Sequence, residues 1–416
     1  MSLIEYLFIA SLIIIWVVIL VNIVLGIGGY LYSKEMDNTW IDTQLEYYPM
    51  VSIMVPAHNE GIVIEKTVRS LLSFDYPVDR YEVIVINDNS SDDSAKTLKR
   101  IQDEGHPVCL KVINTDAVTG GKGKSNALNI GYKESVGEFI AIYDADNTPE
   151  KKALLYLVTT LVRDDKLGAV IGKFRTRNKE HNLLTKFVNI ETLFFQWMAQ
   201  AGRWKLLKLC TIPGTNFILR RRIIDEIGGW DTKALAEDTE ISFRMYRMGY
   251  RIMFMPKAVT WEQEPQTIKV WLKQRTRWAK GNIYVIFKDL KYVFDPKSGP
   301  VKFDIIYFTA IYIFGLTASV VSDVLFIFGL THLITINVVG YSLILWFLAY
   351  VVYILSISMA LMLEKGELYA ENILIAMLMY FTYSKLWAVV TLMGLYHYIK
   401  DSILKTEVKW YKTERF

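Results

Sequence analysis

Long uncharged apolar stretches flank a central part of the chain in which short apolar runs alternate with polar turns. Residues 7–30 carry no charge and are rich in Ile, Val and Leu, which is enough to cross a ~30 Å hydrocarbon core as a helix. The run is too long for a signal peptide, and no small-residue cleavage site follows it. We therefore expect a transmembrane helix over residues 1–32 and a polar, aromatic linker over residues 33–49.

The central pattern predicts an α/β domain over residues 50–265. Buried strands are predicted at 51–56, 81–86 and 139–143, an extended segment at 108–113, and helices at 62–72, 95–101 and 125–136. Strands that alternate with helices indicate three layers with a largely parallel sheet. Further helices are predicted over 183–200 and 237–248, with a turn at Pro213-Gly214 between them.

The C-terminal part is again apolar. Between residues 271 and 287, apolar residues recur at three-to-four spacing with Lys and Arg between them, which predicts amphipathic interface helices over residues 266–300. Apolar segments at about 305–330, 338–363 and 373–399 predict three transmembrane helices within residues 301–400. Asp323 and Lys385 lie inside these segments. Charged residues are costly in lipid, so these two are expected to line a protein interior or a water-filled path. The alternatives are that they form an ion pair with each other, or that the Lys385 side chain extends to the membrane surface.

The charges near the membrane segments give no single topology. Four spans with a cytosolic domain place both termini outside, and the nearly uncharged loop over 331–337 fits that arrangement. The basic tail, residues 401–416, does not fit, because basic residues prefer the cytosol. Either one C-terminal segment does not fully span, or the last helix breaks the bias. The basic residues concerned are Lys400, Lys405, Lys409, Lys412 and Arg415.

Composition limits the classes of function. The 416 residues, 52% of them hydrophobic, allow one soluble domain and several membrane spans. The net charge of +4 is too small to indicate a nucleic-acid partner. The two cysteines, Cys109 and Cys210, have no metal-ligand spacing, which indicates a reduced cytosolic domain without disulfides. The five histidines form no ligand cluster either, so no protein-built zinc site is expected.

Polar residues follow the predicted strands, where parallel sheets bind their ligands. Asn59-Glu60, Asp88 and Asp144-Ala145-Asp146 occupy these positions. Two carboxylates one residue apart point the same way in extended backbone and indicate Mg²⁺ or Mn²⁺ shared with substrate phosphates. A solvated acidic turn is the alternative. The turn around Asp88 could bind a base and ribose, or be an ordinary Asx turn.

Three further stretches carry candidate chemistry. The Gly-rich run at residues 120–125 leads into a helix, which suits a phosphate but lacks P-loop spacing, so a flexible loop is the alternative. Glu237-Asp238 opens a helix, where a carboxylate either caps the helix or takes a proton from an acceptor hydroxyl. The stretch 274–278 combines two guanidinium groups that grip phosphate with an indole that suits a sugar ring. A membrane-surface anchor is the alternative there.

In chain order, these motifs resemble those of the processive family 2 glycosyltransferases, which include the cellulose, hyaluronan, chitin and poly-N-acetylglucosamine synthases. The matching positions are Asp88, Asp144 and Asp146, Ala236-Glu237-Asp238, and Gln274-x-x-Arg277-Trp278, together with residues 55–60 and 123–129. The resemblance covers about residues 50–281. Ala236 stands where the family usually has Thr. The resemblance implies a GT-A-type nucleotide-sugar-binding domain in the cytosol, joined to a multi-pass helical region in the plasma membrane of a bacterium.

The resemblance also implies a role for each matching residue. Asp238, with Glu237 beside it, would be the general base, and Asp144 and Asp146 would hold Mg²⁺ or Mn²⁺. Trp278, Gly214, Thr215 and Asn216 would line the acceptor site. The nucleotide-sugar donor would contact Pro56, Asn59, Glu60, Asp88, Lys124, Asp144, Gln274, Arg277 and Trp278.

The implied activity is the inverting transfer of a UDP-sugar to a growing β-linked polysaccharide, which leaves through the membrane helices. Residues 210–221 are more like the matching stretch of β-glucan synthases than that of amino-sugar synthases, which favours UDP-glucose over UDP-N-acetylglucosamine. A transferase to a lipid carrier and a catalytically silent pore or scaffold subunit are the alternatives. The lipid bilayer is an expected partner, and accessory membrane or extracellular subunits are possible ones.

Overall fold

The computed structural model describes residues 2–295, 298–299, 301–334 and 339–404. Within these residues, eight strands form one sheet. The strands are β1 Val51–Ala57, β2 Tyr81–Asn87, β3 Cys109–Asn114, β4 Phe139–Ile142, β5 Thr148–Pro149, β6 Leu167–Thr176, β7 Phe217–Arg220 and β8 Arg251–Glu262. The α-helices are α1 Leu3–Asn38, α2 Ile64–Leu71, α3 Ser94–Asp103, α4 Lys124–Lys133, α5 Ala153–Val162, α6 Leu183–Phe194, α7 Arg203–Leu207, α8 Arg221–Ile227, α9 Glu237–Arg247, α10 Ile268–Asp289, α11 Val301–Thr309, α12 Leu316–Leu330, α13 Val339–Met362, α14 Ala370–Phe381 and α15 Tyr383–Leu404.

The sheet is mostly parallel, as the sequence predicts, with strand order β3-β2-β1-β4-β7-β6-β8-β5. β1 pairs in parallel with β2 and with β4, so Val51 faces Tyr81 on one side and Phe139 on the other. β7 is antiparallel to β4 and β6. Strands β1, β2, β4 and β7 are buried along their whole length, which explains their continuous apolar runs. The three predicted strands are confirmed as β1, β2 and β4, and the predicted extended segment is the partly exposed strand β3.

The sequence patterns missed the second half of the sheet. β7 has only four residues and ends in an arginine. That arginine, Arg220, is buried because its guanidinium donates to the carbonyls of Leu161 and Leu167. β8 contains Pro256, opposite a register shift between Gly172 and Lys173. A charged residue and a proline conceal these strands from a reading of apolar periodicity.

The first membrane helix is longer than predicted. α1 continues through residues 33–38, which the sequence analysis assigned to the linker, so that the linker begins only at Thr39. Contacts with the α/β domain hold this last part in helical form. The Tyr32 hydroxyl donates to the Phe254 carbonyl at 2.5 Å, and Glu35 pairs with Lys205 at 2.5 Å.

Within the described part of the chain, three helices are long and apolar enough to cross a membrane: Leu3–Asn38, Val301–Gly329 and Ile344–Met362. The second contains a π-helical segment at Ala310–Gly315. The third predicted C-terminal span, 373–399, is instead two helices, α14 and α15, that meet at an angle of 43°. Thr382 between them has a ψ of −82°, which lies outside helical geometry. The pair would give a fourth span only if it crosses as one unit.

Close contacts join the membrane helices to the α/β domain. α6 runs into a π-helical segment at Phe195–Gly202, against which α1 packs. A Cβ on Gly29 would overlap the Trp197 carbonyl oxygen, so the two backbones touch there. Arg203 and Asp304, both about 1% exposed, form an ion pair at 2.6 Å between α7 and α11. The domain and the membrane helices therefore share one packed boundary.

Candidate active site

One cavity of about 710 Å³ extends from the carboxyl ends of the strands into the space between the membrane helices. Its domain end is lined by the ends of β1 and β4, the start of α4, the loop before β7 and the start of α9. The residues of α10 around Gln274 form its middle, and α1, α12, α13 and α15 line its membrane end. The predicted chemistry at the sheet edge and the predicted membrane helices thus meet in one space.

Lys124 is the central cation at the domain end of the cavity. Its Nζ lies 2.7 Å from Asp144 Oδ1 and 3.3 Å from Glu237 Oε1. It also donates to the Gly214 carbonyl at 2.7 Å. Burial would lower the pKa of Lys124, but the carboxylates of Asp144 and Glu237 outweigh burial and raise it. The ammonium therefore stays charged where a donor phosphate would lie.

Asp238 faces the same cavity from the first turn of α9. Gly214 has a φ of +87°, and a Cβ there would lie 2.8 Å from Asp238 Oδ2, so the loop before β7 approaches the carboxylate closely. Burial and the neighbouring charge of Glu237 raise the pKa of Asp238 to about 7, against the opposing effect of Lys124. A carboxyl group with that pKa can take up a proton near neutral pH.

Asp144 and Asp146 both line the cavity just beyond β4. The Asp144 backbone N–H donates to Thr215 Oγ1 at 3.0 Å, which fixes this turn to the loop before β7. Among the described residues, no group of three or more His, Cys, Asp or Glu side chains could hold a metal ion. Two carboxylates nevertheless suit Mg²⁺ or Mn²⁺ when substrate phosphates and water supply the other oxygens. The donor set fits the expected metal.

The predicted nucleoside-binding residues divide into two groups. Pro56 and Glu60 line the cavity, whereas Asn59 and Asp88 are outside the set of described residues that line it. Asp88 is fully buried, and its carboxylate accepts from Thr115 Oγ1 at 2.8 Å and from the Gly121 N–H at 2.9 Å. It holds the Gly-rich run in place. Asn59, with a φ of +56°, accepts from the Ser91 N–H at 2.7 Å and shapes the neighbouring turn.

The predicted acceptor residues also divide. Gly214, Thr215 and Trp278 line the cavity. Asn216 is instead buried in the sheet, where its amide nitrogen donates to the carbonyls of Lys173 and Ala258 at 3.0 and 2.9 Å. Because this amide replaces ladder hydrogen bonds at the irregular pairing of β6 with β8, the structure gives it a role in the sheet.

The motif on α10 contributes four side chains to the middle of the cavity: Gln274, Arg275, Arg277 and Trp278. Arg275 is 1% exposed and lies 3.3 Å from Glu191 Oε1. Its guanidinium also stacks over the Trp278 ring, 4.0 Å from the centroid. Arg277 helps to lower the pKa of Asp238, which puts its charge near the proposed base. These positions agree with the interpretation that the guanidinium groups of this stretch bind a phosphate and its indole binds a sugar ring.

Sequence reasoning missed Glu191, a carboxylate on α6 that also lines the cavity. Tyr383 donates its hydroxyl hydrogen to Glu191, and the Trp271 indole donates to the Tyr383 hydroxyl at 2.9 Å. Glu191, Arg275 and Tyr383 therefore join α6, α10 and α15 in one buried network. Nothing in the local sequence marks Glu191, because its partners are about 80 and 190 residues away in the chain.

The membrane end of the cavity contains the two charged residues noted in the apolar segments. Lys385 Nζ lies 2.6 Å from Asp323 Oδ2 and 3.2 Å from Ser319 Oγ. The mutual ion pair is therefore confirmed, and both residues also line the cavity. Lys385 Nζ lies over the Tyr380 ring, 4.8 Å from its centroid, and Trp346 and Trp387 also line the cavity.

The mostly parallel sheet is a GT-A-like α/β fold, and the cavity that Lys124, Asp144 and Asp238 line lies at the carboxyl ends of its strands. A family model described as "Glycosyltransferase like family 2" matches residues 49–281, and the chain belongs to that family. The predicted fold class and enzyme class are confirmed.

Known relatives agree with this assignment. "Probable glycosyltransferase YdaM" of Bacillus subtilis (strain 168) is 46% identical over 413 residues, 99% of this chain and 98% of that protein. "Poly-beta-1,6-N-acetyl-D-glucosamine synthase" of Staphylococcus aureus (strain COL) is 29% identical over 269 residues, 64% of this chain and 63% of that protein. The solved structure of mannosyltransferase PcManGT from Pyrobaculum calidifontis, in complex with GDP-Man and Mn²⁺, has a TM-score of 0.65 at 20% identity. It covers 94% of this chain and 99% of that chain, and this likeness shows the fold.

Proposed function

We propose that the protein transfers a sugar from a UDP-sugar, with inversion, to the end of a growing β-linked glycan and passes that glycan across the membrane. The observation that supports this proposal is the single cavity that joins Asp238 and α10 to the space between the membrane helices. In a plasma membrane, the catalytic domain would face the cytosol, where it would meet the nucleotide-sugar donor.

In this mechanism, Asp238 takes the proton of the acceptor hydroxyl. The hydroxyl oxygen then forms a bond to the anomeric carbon of the donor sugar, while the bond from that carbon to the diphosphate breaks. Attack opposite the leaving group inverts the anomeric configuration, so an α-linked donor gives a β-linked product. The pKa of about 7 at Asp238 suits this role, and Glu237 contributes by raising that pKa and by holding Lys124.

The donor would lie between α4 and α10. Lys124 and the N-terminus of α4, which has no side-chain cap, would face the diphosphate, and Arg277 would neutralise it as it leaves. Asp144 and Asp146 would hold Mg²⁺ or Mn²⁺, which stabilises the charge of the departing diphosphate. Pro56 and Glu60 would contact the nucleoside, whereas Asn59 and Asp88 would act by shaping the adjoining loops.

For the sugar, we favour N-acetylglucosamine over glucose. The prediction of glucose depends on residues 210–221, yet several of these residues serve the fold. Cys210 is buried, with its Sγ 3.5 Å from the Gln200 carbonyl oxygen, and Arg220 donates to backbone carbonyls. The curated relative from Staphylococcus aureus is named for a β-1,6-linked N-acetylglucosamine polymer. Glucose stays an untested prediction.

The acceptor would bind where Trp278, Gly214 and Thr215 meet, and the product would advance towards Trp346, Tyr380 and Trp387. Aromatic faces suit sugar rings, which favours a glycan in the membrane end of the cavity. A lipid-linked acceptor is the second candidate, because the cavity lies among apolar helices.

The test is to incubate the purified protein with separate UDP-sugars and Mg²⁺ or Mn²⁺, and to digest the product with linkage-specific hydrolases. We expect UDP-N-acetylglucosamine to give a polymer that a β-specific N-acetylglucosaminidase degrades. The Asp238→Asn variant should give none while it remains folded and membrane-inserted. A product that consists only of glycolipid carrying a single sugar, with no polymer, would contradict the polymerase proposal. A polymer formed solely from UDP-glucose would reverse our choice of sugar.

A further inference from the structure

The helix pair α14–α15 starts on the side of the membrane where the α/β domain lies, which we call the domain side. The loop before α14 is fixed to strand β6 by buried charges: Glu364 pairs with Lys173 at 2.9 Å and with Arg175 at 2.6 Å. Glu371, in the first turn of α14, pairs with Lys186 of α6. These contacts place the start of the pair at the domain surface.

The C-terminal half of α15 also lies at the domain side, because α15 runs alongside α10. The rings of Trp271 and Tyr383 are 5.0 Å apart near the start of both helices. Near their ends, the rings of Phe287 and Tyr398 stack with centroids 5.5 Å apart. Asp401 forms an ion pair with Lys280. The two helices are therefore parallel neighbours over most of their length.

α10 itself is fixed to the domain. Lys288 pairs with Glu240 of α9 at 2.8 Å, and Asn282 accepts from Thr239 Oγ1 at 3.0 Å. A side chain that reaches Lys280 or Phe287 is consequently close to the domain surface. Asp401 and Tyr398 have such side chains. Both residues lie near the end of segment 373–399, which the sequence predicts to be a transmembrane helix.

The opposite side of the membrane, here called the far side, has its own contacts. Phe8 and Leu12, near the start of α1, pack against Leu325, Phe326 and Ile334, near the end of α12. α1 and the α11–α12 helix therefore run between the two sides. The middle of α14–α15 reaches part of the way, because Lys385 pairs with Asp323 of α12.

We infer that α14–α15 is a re-entrant element that enters and leaves the membrane on the domain side. Three helices then cross, the N-terminus lies on the far side, and the chain leaves Leu404 on the domain side. Ser384 and Lys385, which follow the bend at Thr382, line the cavity, and polar groups at membrane depth are tolerated in that position. This topology removes the conflict in the charge pattern, because the chain reaches Leu404, the last described residue before the basic tail, on the domain side. The inference does not depend on the proposed sugar chemistry.

The test is single-cysteine labelling of the full-length protein in spheroplasts with a membrane-impermeant maleimide. Native Cys109, which is exposed on β3, reports the domain side. In a Cys109→Ser background, three exposed positions are changed singly: His332→Cys, Lys365→Cys and Ser402→Cys. Cys210 remains, because it is buried. Membrane abundance is measured for every variant.

We expect the Ser402→Cys and Lys365→Cys variants to show the same accessibility as Cys109, and the His332→Cys variant the opposite accessibility. With a cytosolic domain, only His332→Cys would be labelled before permeabilisation. Labelling of Ser402→Cys together with His332→Cys would overturn the inference. Full-length fusions after Phe416 give a second measurement: fluorescent GFP with inactive alkaline phosphatase is expected, and the reverse would refute it.

Discussion

Replacement of Asp238 by Asn is expected to stabilise the folded protein while it abolishes sugar transfer. The site opposes ionisation of this carboxyl group, because burial and Glu237 raise its pKa from 3.8 to about 7. In the proposed mechanism the ionised form is the base, so the protein would keep a group whose charge costs stability. An amide has no charge to bury and cannot accept the proton.

The size of the effect follows from the pKa difference. Below pH 3.8 the carboxyl group is protonated in both folded and unfolded chains, and the full stability is present. As the pH rises towards 7, the unfolded chain releases the proton while the folded protein retains it, and stability is lost. At about 1.4 kcal/mol for each pH unit, the loss approaches an upper bound of about 4 kcal/mol and then stays constant above pH 7.

The assay is thermal unfolding of the detergent-purified proteins at several values between pH 5 and pH 8.5. The advantage of Asp238→Asn should grow up to about pH 7, and each kcal/mol should shift Tm by about 2–4 °C. Asp231→Asn is the matched control. Burial would raise the pKa of Asp231, but hydrogen bonds from Lys288 and Lys233 lower it. That variant should therefore be less stable than the wild type by a constant amount across pH 5–8.5, because its loss would fade only as the pH falls below the ordinary Asp pKa of 3.8. Equal Tm values for Asp238→Asn and the wild type at pH 8 would refute the reasoning.

Three more substitutions test other parts of the structure. Asp304→Asn leaves Arg203 buried without its carboxylate, and a loss of about 3–5 kcal/mol is expected in thermal unfolding; an unchanged Tm would show that the pair is not buried. Gly29→Ala inserts a methyl group against the Trp197 carbonyl, so less protein should reach the membrane in a folded state, as fluorescence-detected gel filtration would report. Lys124→Met should lower kcat/KM by about 10²–10³-fold with Tm within a few degrees of wild type; a loss of less than threefold would exclude a direct role with the donor phosphates.

The half of the fold that could be predicted is the half in which local pattern and burial agree. β1, β2 and β4 are buried on both faces and read as continuous apolar runs, and the helices between them show clear periodicity. β7 and β8 are not predicted, because their charged residue and proline are accommodated by residues that are distant in the sequence. Arg220 finds backbone carbonyls of residues 161 and 167, and the shifted pairing at residues 172–173 accommodates the part of β8 with Pro256. Contacts of this kind cannot be predicted from the neighbouring residues in the sequence alone.

The candidate site shows the same division. Lys124 and Asp238 lie at helix starts and Asp144 follows a strand, so their charge and position mark them in the sequence, and all three line the cavity. Glu191 and Tyr383 were missed because no local motif marks either residue. Their interaction forms only where α6, α10 and α15 pack together. Asp88 and Asn216 hold a loop and the sheet and are outside the described residues that line the cavity, so their ligand contacts stay predictions. Polar residues that hold loops or strands have the same local sequence features as polar residues that contact a ligand.

The position of Arg275 connects the membrane topology to the chemistry. One edge of its guanidinium faces Glu191, which also accepts from Tyr383 on α15, and its face covers the indole of Trp278. If α15 crossed the membrane independently of α10, any tilt of α15 would pull on Tyr383 and disturb the indole that would receive the acceptor sugar. A re-entrant α15 that is paired with α10 along its length avoids this, because both helices move with the domain. The geometry of the proposed acceptor site would then be insensitive to membrane thickness. We therefore expect transfer rates in thin and thick bilayers to differ less for the wild type than for a Tyr383→Phe variant, which lacks the hydrogen bond to Glu191.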